Sequence, residues 1–289
     1  VSKLAGEKQV TSLRKLLDLV VYDHAEEERQ LRNELQVLKA ELLQTFDRNG
    51  TQAILISCEE FIVLAFRGTE ANSMKDIKAD LDAATVLSES GGKMHTGFKK
   101  AFGQTADDIK NALKKEELKD KPLFITGHSL GGALATIAAK ELSHAGGIAA
   151  CYTFGSPRVG DDMWVSGMKT PVYRVVNAVD CVTMLPPGGP FIAILRWLCG
   201  WLPVVGGMFR AFLARHADYA HAGDMRYLAN CRKTHDTVKL MYSVSLIYRV
   251  QGWWRARKAP KGFVADHSIA VYRSKLMIIA NRRNSDLQD

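Results

Sequence analysis

Gly127-His128-Ser129-Leu130-Gly131-Gly132 is the stretch that decides the fold of this chain, because it places a serine between glycines where an apolar run meets a helical pattern. The preceding run, 123–126, is predicted to be a buried strand, and 133–142 is predicted to be a packed helix. Glycines two residues before and after the serine permit a sharp strand-to-helix turn that a Cβ would obstruct. Ser129, at the apex of this turn, is therefore the candidate nucleophile.

The composition is typical of a globular protein. The chain has 289 residues, of which 47% are hydrophobic and 24% are charged, so it is able to bury a large core. We expect a single domain over 1–289. Arg196 and Arg210 interrupt the strongest apolar stretch, so the sequence predicts no membrane-spanning helix and a protein that is soluble or peripheral.

The charge balance is basic. A formal net charge of +8 favours anionic surfaces such as lipid headgroups. Trp253 and Trp254 lie among basic residues, a mixture that suits a lipid interface, and a solvated basic face with two half-buried indoles is the alternative. These basic residues are Arg249, Arg255, Arg257, Lys258 and Lys261. Nucleic acid is not an expected partner, because no motif that reads it is present.

The five cysteines are scattered, without a Cys-x-x-Cys pair or the spacing of zinc ligands. We therefore expect mostly free, buried thiols and no bound metal, with one disulfide as the alternative. The chain begins without an apolar signal region, so we expect that a signal is either lacking or has been removed. A location that is secreted or peripheral to a lipid surface is favoured over the cytoplasm.

Predicted strands and helices alternate along the chain. Leucines at three- and four-residue spacing, ending at the turn signal Asn49-Gly50, predict amphipathic N-terminal helices over 1–48 that pack on the core. The remaining predictions are a hairpin of strands over 51–57 and 61–66, a helix over 96–118, and strands over 149–154 and 172–177. This alternation indicates an α/β fold, with a mostly parallel central sheet and helices on both faces.

A serine hydroxyl needs a base, usually a histidine, to accept its proton. On a sheet of this type the chain order is serine, acid, histidine, which rules out His24, His95, His128 and His144 and leaves four histidines. They are His216, His221, His235 and His267. His267 is the best placed, between a predicted loop over 262–266 and a predicted helix over 268–280, and an exposed histidine at a helix start is the alternative.

Asp180 is the candidate acid. It follows the predicted strand 172–177, at the edge of the sheet where open α/β folds place their catalytic groups. Asp161, Asp162 and Asp266 are also available, but helix capping is the simpler role for each of them.

The oxyanion that develops during ester cleavage needs fixed hydrogen-bond donors. The backbone N–H of Leu130, directly after the nucleophile, is one candidate. Thr69, at the end of Phe66-Arg67-Gly68-Thr69, is the second, because this loop follows an early predicted strand.

Six co-linear segments together resemble the class 3 lipases, the fungal-type triacylglycerol lipases. They are Phe66-Arg67-Gly68-Thr69, His95-Thr96-Gly97-Phe98, Gly127 to Gly132, Thr153-Phe154-Gly155-Ser156-Pro157-Arg158-Val159-Gly160, Asn177-Ala178-Val179-Asp180 with Leu185-Pro186-Pro187, and Asp266-His267. The resemblance implies an α/β-hydrolase fold, with Ser129, Asp180 and His267 at the positions of the family's triad. It also implies oxyanion roles for Thr69 and Leu130.

The segment that follows the oxyanion position departs from the family pattern. Fungal members carry an apolar lid helix there, whereas 70–80 is mostly polar in this chain. Apolar runs over 191–195 and 197–205 instead lie between the candidate acid and the candidate base. The segment 188–218 is therefore the candidate cap or lid, with ordinary core packing as the alternative.

The leading functional hypothesis is a lipase, a serine ester hydrolase that cleaves triacylglycerols and other carboxylic esters through an acyl-enzyme intermediate. A phospholipase A1 or lysophospholipase is the second hypothesis, because of the positive charge and the basic tryptophan region. The third is a catalytically inactive lipid-binding scaffold on a hydrolase fold. The leading mechanism requires no metal and no organic cofactor.

Overall fold

A computed structural model describes residues 26–68, 85–186, 188, 219–229, 231, 235, 237–255 and 265–285. Its strands are β1 (Glu41–Arg48), β2 (Thr51–Ser57), β3 (Ile62–Phe66), β4 (Thr85–Leu87), β5 (Lys93–His95), β6 (Leu123–His128), β7 (Ile148–Phe154), β8 (Gly160–Asp161), β9 (Val172–Asn177), β10 (Tyr219–Ala220), β11 (Asp224–Leu228) and β12 (Leu240–Tyr242). Its α-helices are α1 (Glu26–Val37), α2 (Thr96–Leu113), α3 (Leu130–Glu141), α4 (Asp162–Ser166), α5 (Leu246–Arg255) and α6 (Ile269–Ser285). Short 3₁₀ helices cover Glu116–Leu118 and Val182–Met184.

The central sheet has eight strands in the order β1-β2-β3-β6-β7-β9-β11-β12. Strands β3, β6, β7, β9 and β11 are parallel, and the outer pairings are antiparallel. A second, four-stranded antiparallel sheet has the order β10-β8-β5-β4. The loops that follow the parallel strands all leave from one edge of the central sheet, the edge formed by the carboxyl ends of these strands. Ligand sites of such sheets form there. The predicted α/β fold with a mostly parallel sheet is confirmed.

Both faces of the central sheet are covered by helices, as predicted. In β3, Leu64 and Phe66 pack into a core shared with α2 and α3, whereas Val63 and Ala65 pack into a second core shared with α1 and α6. Successive strand residues point to opposite faces, so a strand buried on both sides reads as a continuous apolar run. Each fully buried aliphatic side chain contributes about 1.5–3 kcal/mol to the stability of the fold relative to an exposed one. Burial in the two cores therefore stabilises the central sheet.

The prediction of helices over 1–48 is wrong for residues 41–48, which form β1. Asn49 and Gly50 have φ values of 49° and 81°, and this pair at the two central positions of a turn is typical of a type I′ hairpin. The turn pairs β1 with β2 in an antiparallel register. The buried residues Leu42 and Phe46 are four positions apart, which fits a helix face and a strand face equally well. Pairing across the turn therefore decides in favour of the strand.

Some predicted segments lie outside the described residues. Of the candidate cap 188–218 only Gly188 is described, and residues 1–25 and 70–80 are likewise outside. The single-domain organisation stays a prediction. The helix predicted over 96–118 ends at Leu113, where a short 3₁₀ turn follows. Among the described helices, none is both long and apolar enough to cross a membrane.

Candidate active site

The turn at Ser129 is held by close backbone contacts. Ser129 has φ 55° and ψ −125°, and its N–H donates to the Phe154 carbonyl (2.9 Å). A Cβ on Gly127 would lie 2.1 Å from the Gly131 carbonyl oxygen, and one on Gly131 would lie 2.3 Å from the Phe66 carbonyl oxygen. Neither contact is sterically possible, so the turn depends on glycine at both positions. The result is a serine whose side chain leaves the carboxyl end of β6 at the start of α3.

Three polar side chains far apart in sequence meet at this edge of the sheet. Nε2 of His267 lies 2.8 Å from Oγ of Ser129, and Nδ1 lies 3.0 Å from both carboxylate oxygens of Asp180. All three are buried, with 6%, 5% and 0% of the residue exposed for His267, Ser129 and Asp180. Because Nδ1 faces a carboxylate, it carries the imidazole proton, and Nε2 is left to accept a proton from the serine hydroxyl.

The Asp180 carboxylate accepts hydrogen bonds from two further donors. The backbone N–H of Val182 donates to Oδ1 (3.0 Å), and the Tyr272 hydroxyl donates to Oδ2 (2.6 Å). That hydroxyl in turn accepts from the N–H of Asn177 (2.9 Å). Burial, with the nearby Asp180 charge second, raises the pKa of Tyr272 well above its usual value, so the phenol remains a donor. These donors fix the orientation of the carboxylate toward the imidazole.

Arg249 holds the backbone of the Asp180 loop. Its guanidinium donates to the carbonyl oxygens of Ala178 (3.0 Å) and Asp180 (3.1 Å) and to Oγ1 of Thr183 (2.9 Å). Only 5% of Arg249 is exposed, and burial lowers its pKa while the Asp180 charge acts in the opposite direction. The prediction that Arg249 belongs to a surface basic region is wrong, because α5 turns its side chain into the protein.

Gly155, directly after β7, lets the acid and the histidine approach each other. It has φ +60°, and a Cβ there would lie 2.8 Å from Oδ2 of Asp180 and 3.0 Å from Nδ1 of His267. A side chain at this position would therefore enter the space that the two catalytic candidates share.

His128 supports His267 from the nucleophile turn. The two rings lie 4.7 Å apart between centroids, and Nε2 of His128 donates to the His267 carbonyl (2.8 Å). Burial, followed by the neighbouring His267, lowers the pKa of His128 to about 3. His128 is thus a neutral donor at physiological pH, and it ties the base to the residue next to the nucleophile.

The structure describes one of the two predicted oxyanion donors, Leu130, and not the other. Leu130 is the first residue of α3, directly after Ser129, so its N–H belongs to the unpaired first turn of a helix. Thr69 lies outside the described residues. Gly68, which precedes it, lies so close to the turn that a Cβ would be 2.4 Å from the His128 carbonyl oxygen. A cleft of about 230 Å³ is lined by Gly50, Thr51, Gln52, Arg67, Gly68, Leu130 and Leu134.

The alternative acids and bases have other contacts. Asp161 accepts from the N–H of Trp164 (2.8 Å), which confirms the predicted cap of α4. Asp266 accepts from the N–H of Val179 (3.4 Å) and so connects the loop of the base to the loop of the acid. His235 contacts helix α6 through its Nδ1. The signal that could have identified Tyr272 and Arg249 as parts of this site is lacking in the sequence, because their partners are distant.

No disulfide joins the described cysteines, which are Cys58, Cys151, Cys181 and Cys231. Cys199 lies outside the described residues. Within the described part of the chain, no group of three or more histidine, cysteine or acidic side chains could hold a metal ion.

Comparison with known proteins finds similarity to lipases. A family model described as Lipase (class 3) matches residues 63–189. A secreted mono- and diacylglycerol lipase of Fusarium solani is 42% identical over 104 residues, which is 34% of this chain and 31% of that protein. A lipase of Rhizomucor miehei is 34% identical over 167 residues, which is 53% of this chain and 45% of that protein. This chain therefore spans between about a third and a half of these two relatives.

A solved structure has the same fold over nearly the whole chain. The lipase from Rhizopus microsporus var. chinensis is similar with a TM-score of 0.60 and 22% identity, covering 91% of this chain and 86% of that one. Such a likeness identifies the fold as that of the α/β-hydrolases.

Proposed function

We propose that this chain is a member of the class 3 lipase family and a serine hydrolase of acylglycerol esters, on the strength of its similarity to that family and of the geometry at Ser129. One observation carries the proposal, namely the 2.8 Å contact between Ser129 Oγ and His267 Nε2, with Asp180 on the far side of the imidazole. A nucleophile, a base and an orienting acid in this arrangement are what acyl transfer requires.

In the proposed mechanism, Ser129 Oγ attacks the ester carbonyl carbon while His267 Nε2 accepts the hydroxyl proton. The tetrahedral intermediate collapses to an acyl-enzyme, and the proton passes from Nε2 to the leaving alcohol oxygen. Water then attacks the acyl-enzyme and gives one proton to Nε2, which returns it to Ser129 Oγ as the fatty acid leaves. Asp180 stabilises the imidazolium in both steps. No metal or organic cofactor takes part in this sequence.

The backbone N–H groups of Leu130 and Thr69 are the proposed oxyanion donors. Leu130 is supported by its place at the first turn of α3, where the helix dipole also favours negative charge. Thr69 is supported by the family resemblance and by the closeness of Gly68 to the serine turn. The segment 188–218 is the proposed cap, on the strength of its apolar sequence between Asp180 and His267.

Acylglycerols are the proposed substrate class, because both relatives are lipases and one is a mono- and diacylglycerol lipase. The secreted relative likewise supports the proposal that this enzyme acts outside the cell. Rates on tributyrin, dibutyrin, monobutyrin and phosphatidylglycerol vesicles would separate the possibilities. We expect glyceride cleavage to exceed phospholipid cleavage, and the reverse order would replace the proposal with the phospholipase hypothesis.

The mechanism is tested by Ser129→Ala, which should reduce kcat on p-nitrophenyl butyrate by about 10⁴-fold or more. Ser156 is a matched control, because it is also 5% exposed and follows the neighbouring strand β7, and its hydroxyl contacts only the Pro157 carbonyl among the described bonds. Ser156→Ala should retain most of the activity. A fluorophosphonate probe should label the folded wild-type protein and spare Ser129→Ala. Turnover by Ser129→Ala at the wild-type rate would exclude this mechanism.

A further inference from the structure

Exposed apolar side chains concentrate in one part of the described surface. Seven large ones are exposed among the described residues, and four of them fall within residues 242–254. These four, which we call the exposed apolar patch, are Tyr242, Ile247, Tyr248 and Trp254, with exposures between 42% and 76%. The other three are spread along the chain as Val37, Leu87 and Met163. Single exposed apolar residues are ordinary, whereas a contiguous group marks an interaction surface.

Helix α5 carries three of the four patch residues, and two of them, Ile247 and Trp254, lie on its outer face. Successive residues of an α-helix are rotated by about 100°, so Ile247, Gln251 and Trp254 share one face and Arg249 points the opposite way. The exposures agree, because the first three are exposed and Arg249 is 5% exposed. A surface helix of a globular protein normally turns its polar face outward. Here the buried face carries a charge and the exposed face carries isoleucine and tryptophan, so the outer face is built for an apolar environment.

The two tyrosines of the patch contact strand β11 of the central sheet. The guanidinium of Arg226 lies 4.8 Å from the ring centre of Tyr173 and 4.7 Å from that of Tyr242. The rings of Tyr227 and Tyr248 meet edge to face, with centroids 6.1 Å apart. These contacts orient the patch without covering it, because Tyr242 and Tyr248 stay 62% and 42% exposed.

Charge identifies the kind of surface that complements the patch. Residues 237–265 contain no aspartate or glutamate and six basic residues, in a chain of net charge +8. One of the six, Arg249, is buried against the loop of Asp180, and the other five are Lys239, Arg255, Arg257, Lys258 and Lys261. Tryptophan and tyrosine flanked by lysine and arginine suit the headgroup layer of a membrane, where the rings enter the interface and the cations contact anionic headgroups. An acidic protein surface would match the charges but would leave the apolar face unexplained.

The patch is also close to the candidate active site. Arg249, on the inner face of α5, donates to the carbonyl oxygen of Asp180 (3.1 Å). A helix with its side chains is about 10–12 Å across, so a surface that contacts the outer face lies about one helix diameter from the loop of the catalytic acid. A lipid layer docked on α5 would therefore bring ester substrate to the neighbourhood of Ser129.

We propose that the outer face of α5, together with Tyr242, docks this protein on an anionic lipid surface. Ile247 and Trp254 enter the boundary between headgroups and acyl chains, about 5–10 Å deep, and the excess of basic residues in this part of the sequence attracts the anionic headgroups. The proposal concerns attachment to the lipid surface and is independent of the hydrolytic step. A second copy of this chain is the competing occupant of the patch, and the experiment below includes it.

Vesicle binding tests the proposal directly. In a Ser129→Ala background, which prevents lipid breakdown, co-sedimentation is measured with vesicles of phosphatidylcholine and phosphatidylglycerol and with vesicles of phosphatidylcholine alone. We expect tighter binding to the anionic vesicles, weakened by added salt. Ile247→Ser with Trp254→Ser should reduce that binding by about tenfold or more, since two apolar side chains no longer leave water. Met163→Ser is the matched control, because Met163 is 69% exposed on another helix, and its binding should not change.

Three outcomes would overturn the proposal. The first is failure of the Ser129→Ala protein to bind anionic vesicles, and the second is an equal loss of binding in Met163→Ser. The third is a shift from dimer to monomer in the double variant, measured by sedimentation velocity, which would assign the patch to self-association. With Ser129 restored, the double variant should keep its kcat/KM on soluble p-nitrophenyl butyrate, and a parallel loss there would also overturn the proposal. Because binding is measured without catalysis, failure of the hydrolase proposal would leave this result interpretable.

Discussion

The turn at Ser129 and the loop at Asp180 lie at the same edge of the sheet but are held in different ways. Ser129 is positioned by backbone packing within a few residues, where Gly127 and Gly131 leave no space for a side chain. Asp180 is positioned by hydrogen bonds from Tyr272 and Arg249, which are 92 and 69 residues away in sequence. The nucleophile is thus a local structure, whereas the acid depends on the completed fold.

This difference determines which kind of substitution should disrupt each half of the site, the turn at Ser129 or the loop at Asp180. A turn held by steric exclusion is sensitive to added volume, since even one methyl group would overlap the backbone. A loop held by buried donors is sensitive to lost hydrogen bonds, because each unpaired buried acceptor costs about 1–3 kcal/mol. The following variants test the two halves in turn.

Adding a methyl group to the nucleophile turn should have the largest effect. Gly131→Ala would place Cβ 2.3 Å from the Phe66 carbonyl oxygen, so we expect a loss of about 3 kcal/mol in the free energy of unfolding and a loss of most activity. Gly103→Ala is the control, because nothing lies within 4 Å of its Cβ position inside α2. The control should stabilise the protein by about 0.5–1 kcal/mol. Urea unfolding and ester turnover of both variants measure this, and equal behaviour would contradict the steric account.

Removing the guanidinium from the acid's loop should rank second. Arg249→Met removes the donor to the Ala178 carbonyl oxygen and leaves the Asp180 carbonyl oxygen with the Thr183 hydroxyl alone, so we expect a loss of about 2–3 kcal/mol in the free energy of unfolding. A displaced acid should lower kcat by about 10- to 100-fold, with a smaller change in KM. Arg249→Lys, which keeps a donor, should recover part of kcat. A wild-type kcat in Arg249→Met would show that the loop holds its position without this arginine.

Removing the Tyr272 hydroxyl should have a smaller effect, because Asp180 keeps the Val182 N–H and the imidazole. Tyr272→Phe should lower the free energy of unfolding by about 1 kcal/mol and kcat by a few-fold to about tenfold. Tyr227→Phe is the control, since the buried Tyr227 hydroxyl has no hydrogen-bond partner among the described residues. That variant should be neutral or slightly stabilising. If both variants behave alike, the hydrogen bond to Asp180 contributes nothing measurable.

His128 contacts both halves, and its substitution should change how the free energy of unfolding depends on pH. The unfolded chain binds a proton on this histidine near pH 6.5, whereas the folded pKa is about 3. As the pH falls through this interval the unfolded state gains protons that the folded state does not, so the free energy of unfolding decreases. His128→Gln should remove about 1 kcal/mol or less of the decrease between about pH 8 and about pH 6. Urea unfolding at both pH values measures it, and identical decreases in the two proteins would contradict the burial of His128.

Several features were predictable because they depend on neighbours in sequence. The glycine pattern around Ser129 predicts the strand-turn-helix unit, and the continuous apolar runs predict strands covered on both faces. The Asn49-Gly50 hairpin was also predictable, since this dipeptide is a strong turn signal. The leucine spacing before it fits a helix and a strand alike, and it led to the wrong prediction of a helix. The catalytic roles of Ser129, Asp180 and His267 stay a proposal, although the fold brings the three within hydrogen-bonding distance.

The amino-acid sequence by itself determined the nucleophile turn and the order of the main strands and helices, because steric limits and apolar periodicity act over a few residues. Only the tertiary structure decided that Arg249 points inward to the acid's loop, that Tyr272 donates to Asp180, and that α5 presents Ile247 and Trp254 to solvent. The physical reason is that a charge or a hydroxyl acquires its role from its partner. Partners separated by 69 to 92 residues meet only when the sheet and its helices have assembled.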